Sequence, residues 1–162
     1  MLDVGKVYDL DSFSQSETSG KQALEWWRIE TNGQSKPGPL AHHTSVVYGD
    51  KMYMFGGSGP KTQAQIISDR APTALWQLDL KTMRWDPVIP RGETYPETRD
   101  DHTAVIYNND SMVIFAGFVD GGERTNDIWR YYFRENRWEQ VRPVSSVAPK
   151  PRAGHSASIM GS

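Results

Sequence analysis

An all-β chain built from copies of one four-stranded antiparallel unit is what this sequence predicts, and three observations predict it. Trp26, Trp85 and Trp138 each stand seventeen residues ahead of a histidine, respectively His43, His102 and His155. Two blocks between those landmarks agree in residue type: HTSVVYGDKMYMFGG with ALWQLDLKTMRW, and HTAVIYNNDSMVIFAG with DIWRYYFRENRW. No long helical period interrupts either block. His43 aligns with His102, Tyr48 with Tyr107, Phe55 with Phe115, Gly57 with Gly117, Trp76 with Trp129, and Trp85 with Trp138. The histidines lie 59 and then 53 residues apart, and nearly all the slack falls between the glycine pair and the third-strand tryptophan. A fixed frame with one variable loop is the mark of a repeat architecture.

The first strand of a unit runs Thr44 to Tyr48 and stops at Gly49-Asp50; its copy stops at Asn108-Asn109-Asp110. Small polar pairs of this kind take the positive backbone angles of a tight hairpin, so strands one and two pair back to back. The second strand, Met52 to Phe55 or Met112 to Phe115, is apolar without alternation, as expected of a strand covered on both faces. A third strand follows at Leu75 to Leu80 and at Ile128 to Phe133. A polar turn, Lys81-Thr82-Met83 or Arg134-Glu135-Asn136, then leads into the tryptophan strand. Before the first full unit, Val7 to Leu10 and Trp26 to Ile29 resemble the last two strands of another copy, separated by a serine-rich insert from Asp11 to Lys21. After the second, Arg152 to Met160 resembles an opening strand.

A unit of this size, apolar on both faces, cannot bury itself alone. Copies must sandwich one another, and radial stacking of such sheets makes a propeller. On its glycine pair Gly56-Gly57, the preceding Phe55, the third-strand Trp76 and Trp129, the closing Trp85 and Trp138, and the Pro-x-x-x-His openings at Pro39 and Pro151, the sequence resembles the kelch-repeat family from about Trp26 to Ser162. Two positions depart from the pattern: Leu40 stands where the later units have Arg99 and Arg152, and the second glycine pair reads Ala116-Gly117. The expected organisation is a partial blade with a polar insert over 1–38, blades over 39–92 and 93–147, and the first strand of a further blade over 148–162. Propellers close with about four to eight blades, whereas 162 residues at this spacing supply about three. The expectation is therefore an incomplete ring, a segment whose open faces are covered by the remaining polypeptide, a second copy or another subunit.

Gly56, Gly57 and Gly117 are expected to end a buried strand in backbone conformations that other residues resist. Trp85 and Trp138 should fill the space between sheets. His43, His102 and His155, repeated at one place in the unit, read as packing and hydrogen-bonding residues; equivalent positions on successive blades spread around an axis and do not converge on a metal.

A net charge of −2 and a pI near 6.1, with lysine and arginine scattered, point away from nucleic acid and anionic membrane. The absence of cysteine removes disulfides, thiolate ligands and thiol nucleophiles, and agrees with a cytoplasmic location. Gly56 to Thr62 imitates a phosphate loop, but Pro60 stands where a glycine should precede the lysine. In Arg99-Asp100-Asp101-His102 the carboxylates point in alternating directions along an extended chain and have no counterpart in the other units. No serine occupies a nucleophile elbow. Neither an enzyme nor a cofactor is expected.

The strand two to three loop and the crossover between units emerge at one end of such a sheet. The long segments Ser58 to Thr73 and Phe118 to Asn126, with the crossovers, therefore share a rim. Arg70, Arg99, Arg124, Arg152, Asp101 and Asp120 are the expected partner-binding residues there, because arginines grip carboxylates in two-pronged fashion. The kelch resemblance implies a protein-binding module, a scaffold or substrate-recognition part of a larger protein. Two other classes stay open: a segment of a propeller enzyme of oxidase or lyase type with its site in other blades, and a structural half-ring that self-associates. A copper-radical centre similar to that of galactose oxidase would need a cysteine, which this chain lacks.

Overall fold

Gly49, at φ 58°, turns the chain back on itself, and the two arms it joins open the first sheet. Strands β1 (Thr44–Tyr48), β2 (Lys51–Phe55), β3 (Leu75–Asp79) and β4 (Arg84–Pro87) pair antiparallel in that order. The computed structural model describes residues 29–33, 35–59, 74–144 and 147–160. A second antiparallel sheet holds β5 (Arg99–Asp100), β6 (Thr103–Tyr107), β7 (Ser111–Val119), β8 (Arg124–Tyr132) and β9 (Arg137–Val141). Both β5 and β6 pair with β7, because Asp101 at φ 51° kinks what is otherwise a single strand. Each sheet is thus four strands deep, the antiparallel unit expected from the repeated sequence blocks. The sheets do not close a ring among the described residues.

Two expectations are corrected. Phe118 to Asn126 is not a long loop. Gly121 and Gly122, both at positive φ, let β7 and β8 run on to a tight turn closed by Val119 N–H donating to the Glu123 carbonyl at 3.0 Å. Arg152 to Met160 makes no β-ladder, since no neighbouring strand among the described residues offers it an edge. The strand expected over Val7 to Leu10, the insert from Asp11 to Lys21 and all but the last residue of the strand expected over Trp26 to Ile29 lie outside the described residues, and Ile29 carries no strand pairing.

Strand alternation sends Tyr53 and Phe55 to one face of the first sheet and Met54, Trp76 and Leu78 to the other, and all five are buried. The Tyr53 face packs on Met112, Ile114, Trp129, Tyr131, Phe133 and Trp138 of the second sheet. Rings lock the contact: Tyr48 stacks on Phe133 at 4.2 Å, and Phe55 meets Trp138 at 5.2 Å. Such pairs add about 0.5–1.5 kcal/mol beyond the area they bury.

The sheets are also fastened at their outer edges. Six residues after each tryptophan the chain forms a parallel bridge to the residue before the next one, Asn32 to Arg84 and Arg91 to Arg137. At the inner edge Asp101 N–H donates to the His42 carbonyl at 3.1 Å, and Gly154 N–H to the Asp101 carbonyl at 2.9 Å. His42, Asp101 and Gly154 occupy one place in the repeat, and all have positive φ.

Gly57 and Gly117 do more than turn the chain. Gly57 N–H donates to the Arg99 carbonyl and Gly117 N–H to the Arg152 carbonyl, each at 2.9 Å. A Cβ on either would lie 2.8 Å from the Cβ of the histidine in its own unit, His43 or His102, with φ at 92° and 104°. Ala116, the departure from the glycine pair, sits at φ 60°. Left-handed backbone costs a residue with a Cβ about 1–2 kcal/mol.

Trp85 and Trp138 occupy matching registers, opposite Leu78 and Tyr131, but only Trp138 has a described sheet across its face; Trp85 is half-buried. Trp138→Ala should therefore cost roughly 3–5 kcal/mol and Trp85→Ala about half as much, read from denaturant-unfolding midpoints.

Candidate functional site

Antiparallel order puts the segments after β2, after β4 and before β6 at one end of the molecule. Three features shape that end.

The first is a stitch between sheets. Thr44 and Phe55 are cross-strand partners on the first sheet, and together they seat His102 of the second. His102 Nε2 shares a 2.6 Å hydrogen bond with Thr44 Oγ1, and its ring meets Phe55 edge-on at 5.3 Å. The unit repeats the device: Thr103 and Phe115 are partners, His155 Nε2 bonds Thr103 Oγ1 at 2.9 Å, and the rings of Phe115 and His155 meet at 5.2 Å. His43 is exposed. Desolvation, reinforced by the nearby Arg99 charge, pushes the buried His102 imidazole down to about 4, so it is neutral. Its Nδ1 has no hydrogen-bond partner.

The second device removes one expected rim residue. Arg99 is 3% exposed. Its guanidinium makes a two-pronged pair with Asp127, at 2.6 and 3.0 Å, and also donates to the carbonyls of Ala116 and Glu97. Trp129 Nε1–H donates to the same carboxylate at 2.7 Å. Burial alone would raise the Asp127 pKa, but hydrogen bonds from Arg99, Trp129 and Thr125 outweigh it and hold the carboxyl below its ordinary range. The expectation that Arg99 meets a partner is corrected: its charge is consumed inside the sheet. Sequence reasoning missed Asp127, although a signal exists. Where Arg99 becomes Leu40 in the first unit, the residue two before the third-strand tryptophan changes with it, from Asp127 to Ala74.

The third feature is a groove of about 280 Å³ between the ends of the two sheets, lined by Leu40, residues 56–59, Ala74, Trp76, residues 98–100 and residues 118–120.

Of the other expected rim residues, Arg70 lies outside the described residues. Arg124 is exposed and lies over the Phe118 ring at 4.9 Å. Arg152 is exposed and donates from Nε to the Lys150 carbonyl, as Arg99 does to Glu97. Asp101 is half-buried and paired with His42 at 2.8 Å, and Asp120 stands exposed at the β7–β8 turn. The structure gathers Asp120, Arg124 and the groove at one place and leaves Arg152 beside the neighbouring edge. Among the described residues no group of three or more His, Cys, Asp and Glu could hold a metal ion. No helix among them is long and apolar enough to cross a membrane.

Residues 5–162 match a family model described as the KLHDC2/KLHL20/DRC7 Kelch-repeats domain. The chain is similar to human host cell factor 2, 29% identical over 137 residues, which cover 77% of this chain and 16% of that protein. It is also similar to bovine Kelch domain-containing protein 2, 29% identical over 132 residues covering 82% of this chain and 30% of that protein. It therefore spans less than a third of either relative. The solved structure of YjhT matches with a TM-score of 0.49 at 22% identity, over 72% of this chain and 40% of that one.

Two outcomes are expected from these contacts. Because His102 is neutral in the fold and titrates near 6.5 when unfolded, the unfolded chain binds the extra proton first as pH falls. Stability should be full above pH about 6.5 and decline by about 3 kcal/mol towards pH about 4. Thermal unfolding across that window checks it, with His102→Asn giving a flatter profile. Asp127→Ala strands the Arg99 guanidinium and should cost roughly 3–5 kcal/mol. Adding Arg99→Leu, which copies the Leu40 and Ala74 pairing, should recover most of that loss in a double-mutant cycle.

Proposed function

The chain belongs to the kelch-repeat family, and from that premise we propose that its blades form a protein-binding module whose loop-bearing end docks a peptide or protein segment. The observation that carries this reading is the division of labour among the charged residues at that end. Arg99 is spent on the fold, whereas Arg124, Arg152 and Asp120 are exposed and form no ion pair among the described residues. Charges held on a stiff frame and not consumed by it suit recognition. A net charge of −2 favours protein over nucleic acid as the partner. In this reading residues 39–92 and 93–147 are whole blades, 1–38 and 148–162 are parts of others, and the module is a scaffold or substrate-recognition part of a larger cytoplasmic protein.

One contrast supports completion of the ring by another sheet, from the remaining polypeptide or a second copy. Tyr48 stacks on Phe133, while its counterpart Tyr107 is 41% exposed. The second sheet thus presents outward the kind of face that the first sheet has covered.

Quantitative affinity capture with Arg124→Glu/Arg152→Glu tests the rim, with light scattering of the same samples reporting self-association. Loss of roughly nine-tenths of the recovered partner, corresponding to about 1.4 kcal/mol, is expected. Recovery equal to that of the unaltered chain would remove the rim assignment.

A further inference from the structure

The two sheets differ at one corresponding place, and the difference makes a site. Beside Trp129 the notch at the sheet end is filled by the Arg99 and Asp127 pair. Beside Trp76 both members are gone, replaced by the smaller, apolar Leu40 and Ala74. Part of the groove of about 280 Å³ is the space this double replacement leaves, and its opposite wall is the end of the second sheet. Leu40, Ala74, Trp76 and Phe118 provide apolar surface and Asp100 and Asp120 line the same opening, while the two cations at hand are already engaged, Arg99 by Asp127 and Arg124 over the Phe118 ring. Neither carboxylate has a hydrogen bond or ion pair among the described residues.

An apolar floor with carboxylates at its lip matches one kind of side chain: a methylene stem that wants to leave water and a cationic head that does not. We propose that this groove receives a single lysine or arginine side chain of a partner polypeptide, its stem against Leu40, Ala74 and Phe118 and its head between Asp100 and Asp120. The occupant takes, from outside, the place that Arg99 fills from within in the neighbouring blade. The proposal rests on the loop-bearing end being the docking surface and adds the chemistry that this surface selects. It reverses the polarity expected from the sequence, in which rim arginines grip partner carboxylates.

Fluorescein-labelled Gly-Ser peptides with a central Val-Arg-Val, Val-Gln-Val or Val-Glu-Val test it by anisotropy at low salt. The arginine peptide should bind about tenfold more tightly than the glutamine peptide. Asp100→Asn/Asp120→Asn should erase that preference. Leu40→Arg/Ala74→Asp, which installs the second sheet's pair, should close the groove and abolish binding while keeping or raising the unfolding midpoint. Equal binding of the three peptides, tighter binding of the glutamate peptide, no binding of the arginine peptide at ~1 mM, or a preference that survives Asp100→Asn/Asp120→Asn would overturn the assignment. If Arg124→Glu/Arg152→Glu still loses the captured partner in that event, the rim reading stands and only the groove falls. If neither pair of substitutions affects the partner, the rim reading falls as well.

Discussion

The fold depends on a histidine that each blade lends to the blade before it. Thr44 and Phe55 face each other across one strand pair and seat His102; Thr103 and Phe115 do the same for His155. On the first sheet the seat also needs a bare glycine directly after the phenylalanine, since a Cβ on Gly56 would lie 2.9 Å from the His102 ring and closer still to the Arg99 carbonyl oxygen. Threonine, phenylalanine, glycine and histidine are therefore one device spread across two sheets. This explains why those residues hold register while the loops between them change length.

Around that device the chain treats arginine and aspartate as a unit. Keeping one without the other would bury an unmatched charge, which costs several kcal/mol. Replacing both by leucine and alanine avoids that cost and leaves space. The first sheet gives up the ion pair and acquires a groove; the second keeps the pair and has a closed end. Two blades of one design thus differ in what they can offer a partner.

Much of the architecture was legible in the residues. The tryptophan and histidine register, the hairpin pairs Gly49-Asp50 and Asn108-Asn109, and the non-alternating second strands point to stacked antiparallel sheets, and the strands lie where those signals place them. The missed parts have physical reasons. Gly121-Gly122 makes a tight turn that extends two strands into what reads as a polar loop, because a ribbon outside the core needs no apolar alternation. Arg99 reads as a surface cation because nothing in its immediate neighbours announces Asp127, 28 residues later. The groove was invisible because it is made by an absence, Leu40 and Ala74, at two places far apart in the chain.

The double fastening of adjacent blades, Arg91 to Arg137 at the outer margin and Asp101 to His42 at the inner, has a mechanical consequence. Two pins set apart on one plate forbid the swivel that a single pin allows. A segment docking as proposed would therefore meet walls whose spacing is already set, and little of its binding energy would go into aligning them. Selection among visitors then follows from fit at first encounter, with the blades serving as a fixed gauge.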